Sequence, residues 1–468
     1  MPATDTIVAL GTPPGVAALA VIRLSGPGSR EVVRRVCPGL PSGLEPRRVI
    51  LAGARDPDTG DPLDQVLVTL FDGPGSYTGE DMAEVSCHGG WLSPSLVLDA
   101  CLRAGARRAE EGEFTRRAFL NGKMDLLQAE AILDLIESRN PALHRAAVRQ
   151  LHRGLSARIT EIREGLMDLE VLLTYHLDFP EEDDPPVPTA RIVERAREVM
   201  GMMEELLRTA PEGELLREGA ATVLAGLPNS GKSSLFNALL GEERAIVTEV
   251  PGTTRDALES VVSLGGFPFR LVDTAGLRDS REEVERLGIE VARKHLKDAD
   301  LILFCVEGEG PLDPVEAGFL EEVQGTPVVL VRTKADLWLG GDGEEGWAGG
   351  SAPGLEGGGH RVEGVVSVSA QEGTGLDRLR SFLPELAFRG LVRSGAEVPI
   401  LTRRRHVAGL RAALLELRSF CAALAHGMPA EVAATHLRPA ETALEELLGV
   451  LPREEILERL FGQFCIGK

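Results

Sequence analysis

A glycine-rich loop between a predicted strand and a predicted helix carries the residues with the clearest chemistry. In residues 221–237, an apolar run leads into the segment GLPNSGKS, which ends at Ser233, and an apolar helical pattern follows. Glycines let backbone N–H groups surround an anion, and the positive end of the next helix dipole faces the same point. Lys232 would reach the outer phosphates, and the Ser233 hydroxyl suits Mg²⁺. The spacing predicts a P-loop that binds one nucleoside triphosphate; the alternative is an ordinary glycine-rich turn.

Two segments after the loop carry the hydroxyl and carboxylate groups that a nucleotide-bound metal needs. The stretch TEVPGTTRD, residues 248–256, offers adjacent hydroxyls at Thr253 and Thr254 and predicts a first switch segment. The stretch RLVDTAG is a predicted strand that reaches Asp273, whose carboxylate would hold the outer shell of the metal. This second stretch therefore predicts a Walker B residue followed by a second switch segment.

Two further motifs concern the base of the nucleotide. The segment TKAD follows an apolar strand over 327–331 and ends in Asp336, whose carboxylate can accept both N–H donors of a guanine edge. The segment SAQ follows the strand 364–368 and offers a backbone N–H to the guanine carbonyl. Four motifs in this order favour GTP over ATP. The residues predicted to contact the nucleotide are Asn229, Ser230, Gly231, Lys232, Ser233, Ser234, Thr248, Glu249, Val250, Pro251, Gly252, Thr253, Thr254, Asp273, Thr274, Ala275, Gly276, Thr333, Lys334, Ala335, Asp336, Ser369, Ala370 and Gln371.

Size and composition limit the class of protein. At 468 residues the chain is long enough for about three domains, each with its own core. Its 72 acidic and 50 basic residues give a net charge of −22, so any contact with RNA requires a local basic patch. The six cysteines form no CxxC pair, which is typical of reduced thiols. With no signal peptide and no apolar run of about 18 residues, the sequence predicts a cytoplasmic protein without a membrane segment.

The patterns that flank the P-loop region predict further domains. Residues 1–120 alternate short strands and helices and predict an α/β domain. A leucine and isoleucine repeat over 151–173 predicts a long amphipathic helix, and Thr189 could cap a second one. Helical periodicity returns over 401–424, 431–448 and 453–461.

The simplest architecture joins the two helical blocks into one domain. The predicted fold class is therefore multidomain, α/β plus all-α. An N-terminal α/β domain covers residues 1–120, and a discontinuous helical domain covers 121–214 and 386–468. A Ras-like P-loop GTPase domain over 215–385 is inserted between the two helical parts. Within this inserted domain, the glycine-rich and acidic stretch 340–360 predicts a loop without a core.

Several longer motifs resemble one family. The stretches GLPNSGKSSLFNALL, PGTTRD, DTAGLRDSREEVERLGIE, GEFTRRAFLNGKMDLLQAEAILDLI and the terminal FCIGK together resemble the MnmE (TrmE) family of tRNA-modification GTPases, within the TrmE-Era-EngA-like group of translation-factor-class GTPases. The resemblance implies the same architecture and an N-terminal domain that binds 5-formyl-tetrahydrofolate through Arg23, Glu84, Lys123 and Lys468. Without this resemblance, Arg23, Glu84 and Lys123 would be interpreted as solvated or ion-paired surface charges. Lys468 would be interpreted as part of a frayed chain end.

The resemblance also implies how hydrolysis is catalysed. Small GTPases orient the attacking water with a glutamine directly after DTAG, but this chain has Leu277 there. The family instead positions the water with a carboxylate that matches Glu285, and supplies charge with K⁺. Catalytic roles thus fall on Glu285, Asn229 and Lys232. The K⁺ ligands would be Asn229, Thr248, Val250 and Thr253, and the Mg²⁺ ligands Ser233 and Thr254.

One residue departs from the pattern of the family, and the role of another residue is open. Thr333 stands where the guanine motif of the family usually has asparagine, so its contribution to base binding is open. Cys465 in the terminal motif is a candidate reactive thiol, and the alternative is a buried structural cysteine.

The family implies a function and partners as well. With a flavoprotein partner, MnmG (GidA), in a heterotetramer, a homodimer would add an aminomethyl or carboxymethylaminomethyl group to C5 of the wobble uridine (U34) of certain tRNAs, using a one-carbon unit from the folate. The competing hypotheses are a regulatory GTPase that senses folate without entering the chemistry and an ATP-driven remodeller.

Overall fold

The structure is a computed structural model, and it describes residues 5–178, 187–241, 259–273, 295–323, 325–338, 362–393, 399–451 and 453–468. The chain divides into two compact units. The first comprises residues 1–136, 150–196 and 415–468, and the second comprises residues 137–149 and 197–414. No helix in these ranges combines the length and apolar character needed to cross a membrane.

The strands fall into two groups along the chain. They are β1 (Ile7–Leu10), β2 (Gly15–Ser25), β3 (Ile50–Arg55), β4 (Pro62–Phe71), β5 (Met82–Gly90), β6 (Arg107–Arg108), β7 (Ala220–Ala225), β8 (Glu259–Leu264), β9 (Phe267–Asp273), β10 (Leu301–Glu307), β11 (Val328–Thr333) and β12 (Val362–Ser367).

The helices account for most of the remaining described chain. They are α1 (Ser29–Val36), α2 (Ser93–Arg103), α3 (Glu113–Leu120), α4 (Leu126–Glu137), α5 (Pro141–Leu151), α6 (Gly154–Asp178), α7 (Thr189–Leu207), α8 (Ala210–Glu218), α9 (Lys232–Leu240), α10 (Pro314–Glu322), α11 (Leu376–Ala387), α12 (Arg389–Arg393), α13 (Arg404–Ala425), α14 (Ala430–Ala434), α15 (Leu437–Leu448) and α16 (Glu454–Phe461).

The first unit contains a mixed sheet in the order β3-β4-β5-β2-β1-β6, in which only the β1–β6 pair is parallel. Along β4, Val66, Val68 and Leu70 are buried and alternate with more exposed residues, as expected for a sheet with one covered face. Helices α1 and α2 cover that face. The α/β character predicted for this part of the chain is confirmed.

Helix α6 confirms the amphipathic repeat, because Leu155, Ile159, Ile162, Leu166, Leu169 and Leu173 are all buried. Leu151, the first residue of the predicted stripe, belongs to α5 and is only half-buried. The helical periodicity predicted over 431–448 is divided between two helices. The chain forms α14 and then α15, since Pro439 in the first turn of α15 has no N–H to donate to the carbonyl of Thr435.

The second unit contains a sheet in the order β12-β11-β10-β7-β9-β8, parallel except for the β8–β9 hairpin. Strands β7, β10 and β11 are nearly continuous runs of buried residues, as parallel strands covered on both faces must be. Their carboxyl ends meet at one edge of the sheet. The α/β core predicted for the inserted domain is thereby confirmed, while the domain borders at 120, 214 and 385 stay predictions.

Candidate functional sites

The P-loop begins where buried strand β7 ends. Gly226 has φ 141°, and a Cβ there would lie 2.2 Å from the carbonyl oxygen of Cys305. Gly231 has φ 85°, and exposed Asn229 also has a positive φ of 64°. These conformations turn the chain tightly before α9 begins at Lys232, because glycine and asparagine tolerate the left-handed region. The loop is built to surround an anion at a helix start.

Lys232 lies across the loop. It is 7% exposed, and its Nζ donates to the carbonyl oxygens of Gly226 at 3.1 Å and Leu227 at 2.7 Å. The ammonium group is therefore held beside the loop backbone, where it can neutralise the outer phosphates of a nucleotide.

Ser233 and Asp273 form the part of the site that suits a metal. The Ser233 Oγ donates to Asp273 Oδ2 at 2.9 Å. Asp273 ends β9 beside the P-loop strand and is 9% exposed. A hydroxyl and a carboxylate are hard oxygen groups of the kind that Mg²⁺ prefers. The two residues therefore fit a Mg²⁺ ion bound with nucleotide phosphates.

Thr333 points at the P-loop. It ends β11, is 3% exposed, and its Oγ1 donates to the carbonyl oxygen of Ser230 at 2.8 Å. Its Cβ, Oγ1 and Cγ2 lie 3.1–3.3 Å from the position that a Cβ on Gly231 would take. The side chain thus joins the guanine motif to the phosphate loop. Sequence reasoning, which considered Thr333 only for base contact, missed this role.

Asp336 is oriented by the neighbouring motif. Ser369 Oγ donates to Asp336 Oδ1 at 2.6 Å, and the Ala335 N–H donates to the carbonyl oxygen of Val368 at 3.1 Å. Lys334, at φ 57°, pairs through Nζ with the carboxylate of Glu307 at 2.6 Å. The structure therefore brings the TKAD and SAQ motifs together at one edge of the sheet.

Some predicted nucleotide residues lie outside the described part of the chain. These are Thr248, Glu249, Val250, Pro251, Gly252, Thr253, Thr254, Thr274, Ala275, Gly276 and Glu285, together with the predicted loop 340–360.

We expect Thr333→Val to weaken GTP binding about fivefold. Valine keeps the shape of threonine but leaves the Ser230 carbonyl without its donor, which costs about 1 kcal/mol. Titration with a fluorescent GTP analogue measures the change, and Thr333→Ser, which keeps the hydroxyl, should bind like the wild type. A valine variant with unchanged affinity would show that the hydrogen bond has no role in nucleotide binding.

A second cluster of functional groups lies in the first unit around Arg23. Its Nε and Nη2 both donate to Glu84 Oε1, at 3.1 and 3.0 Å. The guanidinium carbon lies 5.6 Å from the ring centre of Tyr77 and 5.9 Å from that of Phe114. Arg23 and Glu84 are register partners on β2 and β5, so the sheet itself brings them together. The two aromatic rings were not predicted from the sequence.

The C-terminal tail reaches this cluster. Arg23 Nη1 donates to the carbonyl oxygen of Gly467 at 3.4 Å, and the Phe114 N–H donates to the carbonyl oxygen of Lys468 at 3.2 Å. Ile466 forms a backbone bridge with Glu111. Lys468 therefore lies in an anchored segment, and the alternative of a frayed chain end is wrong. Cys465 is exposed, so the alternative of a buried structural cysteine is also wrong.

Lys123 borders the same region through another segment. Its Nζ donates to the carbonyl oxygen of Pro74 at 2.6 Å, and its stem lies 3.3 Å from the position of a Cβ on Gly79. The adjacent Thr78 shares a 2.7 Å hydrogen bond with Ser25, two residues after Arg23. Residues 77–79 thus connect Arg23 with Lys123.

A buried network of ion pairs lies in the same part of the first unit. Arg117 is 5% exposed and pairs with Asp5 at 2.8 Å, Glu80 at 3.1 Å and Glu113 at 2.9 Å. Burial by itself would raise the pKa of Glu113, but hydrogen bonds, above all from Arg107, lower that pKa on balance. The carboxylate stays ionised and holds α3 against the sheet.

Comparisons with known families cover nearly the whole chain. Residues 6–123 match the family model described as GTP-binding protein TrmE N-terminus, and residues 126–465 match the model of the MnmE helical domain. Among solved structures, the G domain of the T. maritima FeoB iron transporter is 29% identical over 36% of this chain and 97% of that chain, with a TM-score of 0.24.

Curated relatives match along their full length. The tRNA modification GTPase MnmE of Heliobacterium modesticaldum is 40% identical over 99% of this chain and 99% of its own. That of Geobacter metallireducens is also 40% identical over 99% of both chains. With a P-loop joined to a guanine motif, and with matches to both family models, the chain belongs to the MnmE family of tRNA modification GTPases.

Proposed function

We propose that GTP hydrolysis by this chain serves the addition of an aminomethyl or carboxymethylaminomethyl group to C5 of the wobble uridine of certain tRNAs. The flavoprotein MnmG (GidA) would be its partner in a heterotetramer, in the cytoplasm. The observation that carries this proposal is the family match outside the GTPase core, over the N-terminal domain and the helices, because a P-loop alone would suit any GTPase.

Mass spectrometry of tRNA nucleosides tests the proposal. A strain that lacks this protein should lose the modified wobble uridine, and a plasmid copy of the gene should restore it. If the deletion strain keeps the modified base, the competing hypothesis of a folate-sensing regulatory GTPase is favoured.

In the nucleotide site, the residues of this chain would bind and orient GTP. Lys232 would neutralise the outer phosphates, Ser233 and Thr254 would hold Mg²⁺, and Asp336 would select guanine. Asn229 has an exposed side chain on the tight loop, which suits a K⁺ ligand at the phosphates. When bound, the two cations supply positive charge where negative charge develops between the β- and γ-phosphates.

The Arg23 cluster would hold the reduced folate. Glu84 offers a carboxylate to the N–H donors of a pterin edge, Arg23 offers a cation, and the rings of Tyr77 and Phe114 provide flat apolar surfaces. Lys123 and Lys468 would contact carboxylates or carbonyls of the same ligand. When bound, the folate supplies the one-carbon unit.

We expect Arg23→Ala to weaken binding of 5-formyl-tetrahydrofolate about tenfold, because a charge-assisted hydrogen bond contributes at least about 1.4 kcal/mol. Isothermal titration calorimetry measures the affinity, and circular dichroism checks the fold. Arg30→Ala removes an ion pair with Asp72 elsewhere in the same domain and serves as the control. Equal folate affinity in the Arg23 and Arg30 variants would contradict the assignment.

The N-terminal sheet offers a surface for the proposed homodimer. Val16 is 86% exposed and Trp91 is 75% exposed, and Leu51 and Leu67 lie opposite one another on the uncovered face of β3 and β4. Contiguous exposed apolar patches larger than a few hundred Å² often mark an interface. A second copy of the chain that covers this surface would make the dimer constitutive.

A further inference from the structure

A stretch of unusual charge lies between α4 and the middle of α6. Residues 138–160 contain no aspartate or glutamate, although the chain as a whole carries a net charge of −22. The basic residues of the stretch are Arg139, His144, Arg145, Arg149, His152, Arg153 and Arg158. It is therefore a local basic segment in an acidic protein.

Helix α5 fixes the orientation of part of this segment in the second unit. Asn140 caps the helix, since its Oδ1 accepts from the Leu143 N–H at 2.8 Å. The Ala142 N–H donates to the carbonyl oxygen of Gly266 at 3.0 Å, in the turn of the β8–β9 hairpin. Leu143 and Ala147 are buried. The first turn of α5 thus contacts the hairpin that lies between the two predicted switch segments in the sequence, and the next two residues, His144 and Arg145, are exposed.

The exposed polar residues at the start of α5 and in the loop before it are basic. Arg139, His144 and Arg145 are exposed. Within the described ranges, neither arginine forms an ion pair, whereas buried or half-buried arginines such as Arg117 and Arg163 pair with two or more carboxylates. Charges that are not neutralised within the protein remain available to a polyanion.

We propose that these exposed basic residues of α5 and of the loop before it bind the phosphate backbone of RNA. Guanidinium groups match phosphate geometry with two parallel hydrogen bonds. Protein interfaces are usually centred on aromatic, apolar or arginine anchors, and within the described surface residues 137–149 add no large exposed apolar side chain to the arginines, the one next to them being Ile136 at 45% exposed. The inference rests on the proposed function, which makes tRNA the RNA in question, and it names the surface that tRNA would contact.

Salt-dependent tRNA binding by the full-length protein tests the proposal. Removal of one arginine–phosphate contact reduces the magnitude of the slope of log K against log[salt] by about 1, and lowers the affinity about eightfold near 0.1 M salt. We expect the double variant Arg139→Gln, Arg145→Gln to reduce the magnitude of this slope by about 2 and to leave basal GTP hydrolysis unchanged. Arg393→Gln removes an exposed arginine of α12 in the same unit and should leave the slope as in the wild type.

The possible outcomes separate this inference from the proposed function. If the wild type binds no tRNA, the proposed function fails and this surface fails with it. If the wild type binds tRNA and the double variant keeps the same slope, only the RNA surface on α5 is wrong. If the double variant keeps its tRNA slope but no longer binds the flavoprotein in a pull-down of the two purified proteins, these residues form a protein-docking surface and the RNA proposal is overturned.

Discussion

We expect Glu285→Ala to lower kcat for GTP hydrolysis roughly 10²-fold while GTP affinity stays nearly unchanged. Leu277 follows DTAG and cannot orient a water molecule, so another group must do so. Removal of a general base or water-positioning group costs about 10²–10⁴ in rate, and a group that acts only in the transition state does not affect ground-state binding. Phosphate release under saturating GTP measures kcat, and nucleotide titration measures the affinity.

The dependence of GTP hydrolysis on the cation distinguishes the water-positioning role proposed for Glu285 from the positive charge that K⁺ would supply. Wild-type hydrolysis should be fast in KCl and slow in NaCl at equal ionic strength, and the Glu285 variant should keep that ratio. Asn229→Ala, which removes the proposed K⁺ ligand from the P-loop, should abolish the difference between the salts. A Glu285→Ala protein with the kcat of the wild type would contradict this mechanism, and so would equal wild-type rates in KCl and NaCl.

The second large effect concerns the choice of base. We expect Asp336→Asn to weaken GTP binding at least tenfold and at most about 150-fold, because the substitution removes up to two charge-assisted hydrogen bonds of about 1.5 kcal/mol each. Ser369 already donates to one carboxylate oxygen and orients the group. Xanthine carries an oxygen where guanine carries its amino group, so the asparagine amide should bind xanthosine triphosphate better than the wild type does. Competition titrations with GTP and xanthosine triphosphate measure this change in base preference.

A control at the same edge of the sheet tests whether the effect is specific. Glu307→Gln removes the exposed ion pair with Lys334 but leaves Asp336 in place, and its GTP affinity should change little. If Asp336→Asn binds GTP as tightly as this control, the assignment of Asp336 to the guanine edge is wrong.

The positions of the nucleotide motifs could be predicted because each motif is short and local. The P-loop depends on the backbone freedom of Gly226 and Gly231 and on the helix that starts at Lys232, all within one contiguous segment. Likewise, the repeat in α6 predicts its buried face because the period of a helix is a property of the local chain. The break between α14 and α15 was missed although Pro439 was visible, since apolar periodicity continued through it.

Contacts between distant segments were decided only by the tertiary structure. The hydrogen bond from Arg23 to Gly467 joins residues 444 positions apart, and the Thr333 hydroxyl reaches Ser230 across 103. Nothing in either local sequence specifies these partners, because the direction of a side chain at a strand end depends on which strands pair and how they twist. The sequence by itself thus predicted which residues would bind a nucleotide. Only the fold decided that Thr333 secures the phosphate loop and that the chain end completes the Arg23 cluster.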